Sequence, residues 1–226
     1  MGSPHSKTKK ENQMRAILII IATLVTSLQT TEAYEPLTEN HAKIWELIKK
    51  LPDQTCREQM KAWIEKGKVS IQITDTGRQS AHTLSVRSID YGTPQEYWEL
   101  QIEHSLLYYN TLSKNEWFIA LYHECQHLTH RFIWKWGLYN PPSNQRKTKE
   151  HIETAFETEF YAIKAECAFN EKYKLGKQRE ECKGGDTTIR ENLVYSFLAQ
   201  NSRHTDFLFK IANRKPSDKF QPPKKK

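Results

Sequence analysis

The spacing of hydrophobic positions changes along the chain, and each change marks an element. Over residues 36–66 apolar side chains recur at helical spacing: Ile44, Trp45, Leu47 and Ile48, then, past a break at Pro52, Met60, Trp63 and Ile64 before Gly67. Two helices are predicted there. Over 68–107 the period falls to two. Val69, Ile71 and Ile73 alternate, a turn with Gly77 follows, and Leu84 and Val86, then Trp98, Leu100 and Ile102, alternate in their turn. Three short strands are expected, in a small antiparallel or mixed sheet whose last strand runs along the neighbouring cleft.

Helical spacing then returns. Residues 115–132 form one such stretch, and 148–174 form a second with the seam Ile152, Phe156, Phe160, Ile163 and Cys167. Gly176 and the Gly-rich loop 183–186 end the second. Thr188 with Glu191 has the form of a capping box opening a last helix through Leu193, Val194, Phe197 and Leu198. The segment after Asn213 (RKPSDKFQPPKKK) is too polar to bury a core and is expected to be disordered. No internal repeat is present.

The helix over 115–132 carries the candidate chemistry. Ser113 with Glu116 forms a capping box at its start, and Gly137 with Pro141-Pro142 supplies the stop. Phe118, Leu121, Cys125, Leu128 and Phe132 share one side; His123, His127 and Ala120 share the other. His123-Glu124-Cys125-Gln126-His127 is an HExxH motif. Imidazoles four residues apart lie on one face and can hold one metal ion. Glu124 lies about 100° around the helix from His123, where a carboxylate can take a proton from metal-bound water.

Two histidines leave a catalytic metal site one protein ligand short. The helix over 148–174 offers His151, Glu153, Glu157, Glu159 and Glu166. On a helical wheel Glu159 falls inside the apolar face between Ala155 and Ile163, Glu153 and Glu157 face away, and the angle leaves Glu166 open. A carboxylate on a buried face needs a positive partner, and a metal is one. His123, His127 and Glu159 are the expected metal ligands, with Glu124 as the catalytic base.

These residues resemble the gluzincin metallopeptidases, in which HExxH on one helix is followed by Glu-x-x-Ala on a later one. The likeness rests on His123, Glu124 and His127, then Glu159 with Ala162, and spans roughly residues 68–175. It implies zinc (Zn2+), hydrolysis of peptide bonds in peptide or protein substrates, endopeptidase rather than exopeptidase action, and a site between two helices. The fold expected is α+β: a minimal zincin-like domain with a small three-stranded sheet packed on the HExxH helix and the Glu-bearing helix, plus extra N- and C-terminal helices. Where gluzincins often place an Asp after that Ala to orient the first histidine, this chain has Ile163. Another group must then orient His123. The metzincin pattern is excluded, because His130 stands where its glycine belongs and Ile133 where its third histidine belongs. A SprT-like protease would use His151 as third ligand. A non-catalytic zincin-like binding module is the non-enzymatic alternative, and Glu124 argues against it. Tyr161, His130 and His151 are the candidates for stabilising an oxyanion.

Composition adds the compartment. Lys7, Lys9, Lys10 and Arg15 precede the apolar run 16–28, and Thr31-Glu32-Ala33 offers a small-x-small cleavage site. Residues 1–33 are expected to be a signal peptide and 34–213 a single domain, with 214–226 a basic tail; an uncleaved N-terminal anchor is the alternative. No stable membrane insertion is expected, the run being short for a span. Removing 1–33 takes away four basic and two acidic side chains, so the net charge falls from +7 to +5. Lys224, Lys225 and Lys226 supply three of what remains, so the body is nearly neutral and nucleic acid is not an expected partner. Four cysteines in an exported chain permit disulfides, and Cys167 with Cys182, across a helix end and a Gly-rich turn, is the favoured pair.

Overall fold

Pro52 and Asp53 separate two helices at the start of the described chain. Helix α1 is Glu39–Lys49 and α2 is Gln54–Glu65, whose N-cap Asp53 accepts the Cys56 N–H at 2.9 Å. The computed structural model describes residues 39–74, 84–89, 96–103, 107, 112–136 and 148–222. The signal peptide over 1–33, the turn at Gly77 and the stop at Gly137 and Pro141-Pro142 lie outside the described residues.

Gly67, at φ +66°, turns the chain from α2 into the sheet, a conformation that L side chains rarely adopt. The strands are β1 Val69–Thr74, β2 Leu84–Ile89 and β3 Tyr97–Glu103. Their order is β1-β3-β2, with β3 parallel to β1 and antiparallel to β2. The sheet is therefore mixed, and β3, expected beside the cleft, is its middle strand. The strand whose outer edge meets the site is β2. Val69, Val86, Trp98, Leu100 and Ile102 are buried and pack with Ile44, Ile48, Met60 and Trp63 of the first two helices.

Helix α3, Lys114–Phe132, closes this core. Its capping box forms as expected: Ser113 Oγ accepts the Glu116 N–H at 3.3 Å, and Glu116 accepts the Ser113 N–H at 2.6 Å. Phe118, Leu121, Cys125 and Leu128 face the sheet side, and Cys125 is disulfide-bonded to Cys56 of α2. The opposite face is covered too, because Glu124, His127 and His130 are buried.

Helix α4, Lys149–Tyr173, is N-capped by Thr148 and works on two sides. Its seam of Ile152, Phe156, Phe160 and Ile163 forms a second core with Ile189, Leu193, Val194, Leu208 and Ile211. Another face meets α3, with Tyr122 stacked on Phe169 at 4.0 Å between ring centroids. Glu157, which the helical wheel turned away from the packing, is fully buried. The wheel assumed one covered face, whereas Arg190 lies against this one and binds Glu157 at 2.7 and 3.1 Å.

Beyond α4 come α5 (Glu180–Lys183), α6 (Gly185–Asn201) and α7 (Thr205–Ala212), with short 3-10 turns at Ser202–His204 and Asp218–Phe220. Helix α6 begins at Gly185, three residues before the expected cap at Thr188. Gly185 at φ +72° joins α5 directly to α6, and Thr188 Oγ1 lies only 2.0 Å from where a Cβ on Gly184 would stand. Thr188 therefore packs over a bare glycine and caps nothing. The expected disordered tail is placed as far as Pro222: Arg214 pairs with Glu153, Lys219 with Glu150, and Phe220 is buried edge-on to Trp136 at 5.5 Å. One hydrophobic anchor outweighs the polar composition around it. Among the described residues there are seven α-helices and one three-stranded sheet, and no helix is long and apolar enough to cross a membrane.

Candidate metal centre

Two helices supply the centre. His123 and His127 are one turn apart on α3, which turns both rings to the α4 side. On α4, Glu159, Ala162 and Glu166 follow one another at i, i+3 and i+7, so they form a strip along one face. Ala162 in that strip is fully buried and puts no bulk between the helices.

The carboxylate of Glu159 straddles the two imidazoles. Oε1 lies 3.3 Å from His123 Nε2 and Oε2 lies 3.3 Å from His127 Nε2, while the two Nε2 atoms are 3.1 Å apart. A tetrahedral ion with bonds of about 2.0–2.1 Å has ligands about 3.3–3.4 Å apart. The two nitrogens stand close to one such edge, each has an oxygen of Glu159 3.3 Å away, and His123, His127 and Glu159 form a group that could hold a metal ion. The nitrogen and oxygen donor types suit zinc among other divalent ions.

His123 has a second partner. Its Nδ1 lies 2.9 Å from Glu166 Oε2, and this carboxylate is buried. Glu166 meets the need left open at Ile163, one helical turn further along α4. It fixes the ring and leaves Nε2 to face Glu159. The strip Glu159–Ala162–Glu166 was visible in the sequence as an i, i+3, i+7 pattern; only the packing shows that Glu166 meets Nδ1 rather than the metal position. His151 sits eight residues from Glu159 along α4, about 12 Å, and is not part of the group.

Glu124 is buried, and its Oε2 accepts the Val86 backbone N–H of β2 at 2.9 Å. Burial pushes its pKa up, partly offset by the neighbouring histidines and the Val86 bond. Burial opposes the charge on His123, yet Glu159 and Glu166 overcome it and hold the imidazole well above its ordinary 6.5. Burial likewise opposes ionisation of Glu159, and the His123 and His127 rings hold it well below 4.5.

Of the three oxyanion candidates only His130 lies beside the site. Its ring is 6.0 Å from that of His127 and packs against both Trp134 and Trp136 at 4.7 and 4.5 Å, and burial holds its pKa well below 6.5. Tyr161 packs on Trp134 and Trp136 and lines a separate cavity of about 350 Å3 with Lys164, Asp186 and Arg190. Comparison with protein-family models, curated proteins and solved structures finds no match for this chain. The functional reading therefore stands on the chemistry of the site.

Proposed function

We propose that this protein is an exported zinc-dependent peptidase of gluzincin type, acting on peptide or protein substrates. The observation that carries the proposal is the convergence of His123 Nε2, His127 Nε2 and the Glu159 carboxylate into a group that could hold a metal ion, with Glu124 next to the first histidine. When bound, zinc would supply Lewis acidity towards a carbonyl oxygen and a water of lowered pKa. Glu124 takes a proton from the attacking water as the C–O bond forms, and returns it to the nitrogen as the peptide C–N bond breaks. Burial raises its pKa above the ordinary carboxylate value, which favours taking up that proton. Glu166 holds His123 at Nδ1. Two disulfides, Cys56–Cys125 and Cys167–Cys182, agree with an oxidising compartment.

A second reading rests on the Val86 bond. A Glu124 committed to the β2 backbone would be a structural residue, and the protein a metal-binding module without turnover. Metal content and peptide hydrolysis, measured on wild type and Glu124→Gln, separate the two. The peptidase reading expects one zinc in each protein and activity in the wild type alone. Zinc in both with hydrolysis in neither leaves the module, and a wild type without zinc ends both readings.

A further inference from the structure

The chain between Cys167 and Cys182 leaves α4 and comes back to it. Lys174, at φ 52°, ends the helix in the left-handed region, and the chain returns through Arg179, the N-cap position of α5. The Cys167–Cys182 disulfide closes this return onto α4, with a separation of 15 residues. Cys167 is the neighbour of Glu166, and Gln178 Nε2 also reaches the Cys167 carbonyl, at 3.5 Å.

The closed loop delivers one cation. Arg179 NH1 lies 3.6 Å from Glu166 Oε2, the same oxygen that meets His123 Nδ1 at 2.9 Å, and its NH2 pairs with Glu181. A buried carboxylate facing one imidazole can turn about its side-chain torsions. A guanidinium on the same oxygen opposes that turn and keeps the acceptor in front of Nδ1–H. The His123 ring is then fixed with its other nitrogen towards Glu159.

We propose that Arg179 is a positioning residue for the metal centre, acting through Glu166 on His123, and that the Cys167–Cys182 disulfide is what holds it there. The proposal rests on the metal-binding reading of His123, His127 and Glu159. The closed loop therefore tightens metal binding, and a loop without the disulfide binds the metal less tightly. Arg179 is half exposed, so its effect is that of a solvent-screened pair, about two- to fivefold in the zinc dissociation constant.

Zinc affinity of the full chain, measured by competition with a chromogenic chelator, tests this beside unfolding temperatures taken in excess chelator. R179A should weaken zinc by that factor with little change in the zinc-free unfolding temperature, and R179K should restore part of the loss. Replacing Cys167 and Cys182 together by serine should weaken zinc to the same extent and lower the unfolding temperature. Repeated in the R179A background, the serine pair should lower the unfolding temperature again but leave zinc affinity as in R179A, since both changes act through one contact. Wild-type affinity in R179A, or an equal loss from the serine pair with and without Arg179, would overturn the proposal. If the serine pair fails to fold, R179A against R179K decides. A wild type that binds no zinc defeats the metal-binding reading itself, whereas zinc bound equally by wild type and R179A defeats only the role of Arg179.

Discussion

Each of the three carboxylates around His123 has a different task, set by which atom it meets. Glu159 meets Nε2, Glu166 meets Nδ1, and Glu124 meets the β2 backbone. Glu159→Gln should lose most zinc affinity, because a neutral amide replaces an anionic ligand. Glu166→Gln should cost on the order of tenfold, and His151→Ala nothing. Zinc titration of the three variants checks the order, and a larger loss in His151→Ala than in Glu159→Gln would reassign the third ligand. The pair of His123 and Glu159 also sets a pH dependence. An imidazole pKa raised above 6.5 contributes stability that is fully present below 6.5 and is lost as pH rises through the folded value. A carboxyl pKa depressed below 4.5 contributes stability present above 4.5 and lost as pH falls through the folded value. Zinc-stripped protein should gain most from the pair between pH 4.5 and 6.5. Zinc must displace the His123 proton, so apparent affinity should fall as the medium is acidified. Unfolding scans in chelator and zinc titrations at stepped pH check both, and a pH-independent affinity would contradict the ion pairing.

At the scale of elements, α4 is the hinge of the architecture because it is covered on two sides. One face carries Glu159 and Glu166 to α3; another buries Glu157 against Arg190 of α6. Arg190 is itself buried, stacks over Phe160 at 4.0 Å, and donates to the Ile211 carbonyl. Glu157→Gln leaves that guanidinium buried without its counter-charge, which costs about 3 kcal/mol, the low side of the range because the amide still accepts a hydrogen bond. Chemical denaturation should show this loss while zinc stoichiometry stays at the wild-type value. A variant as stable as wild type would mean that the pair contributes no net stability.

For the whole molecule, both disulfides are built into the helices that carry His123, His127 and Glu159. Cys125 lies inside the HExxH turn and ties it to α2, and Cys167 lies next to Glu166. Such a design suits a compartment where thiols are oxidised. Protein recovered after export should begin at Tyr34 and yield linked Cys56–Cys125 and Cys167–Cys182 peptides in non-reducing mass spectrometry. Retention of residues 14–33 would favour an N-terminal anchor, and free thiols at all four positions would argue against an oxidising destination.

Much of this protein was legible in its sequence, for local reasons. The strands at Val69–Thr74, Leu84–Ile89 and Tyr97–Glu103 follow from alternation, and the Ser113–Glu116 capping box from residues three apart. His123, His127 and Glu159 were readable as a set because helical angles place each on a face, and the structure brings all three together. The remainder depended on contacts between distant elements. That β3 is central, that Glu157 is buried by Arg190, and that Phe220 anchors the tail on Trp136 are set by which surfaces meet. No spacing encodes the Val86–Glu124 bond across 38 residues or the Glu166–His123 bond across 43. Periodicity fixes the direction of a side chain about its own helix or strand; only packing decides which neighbour stands in that direction.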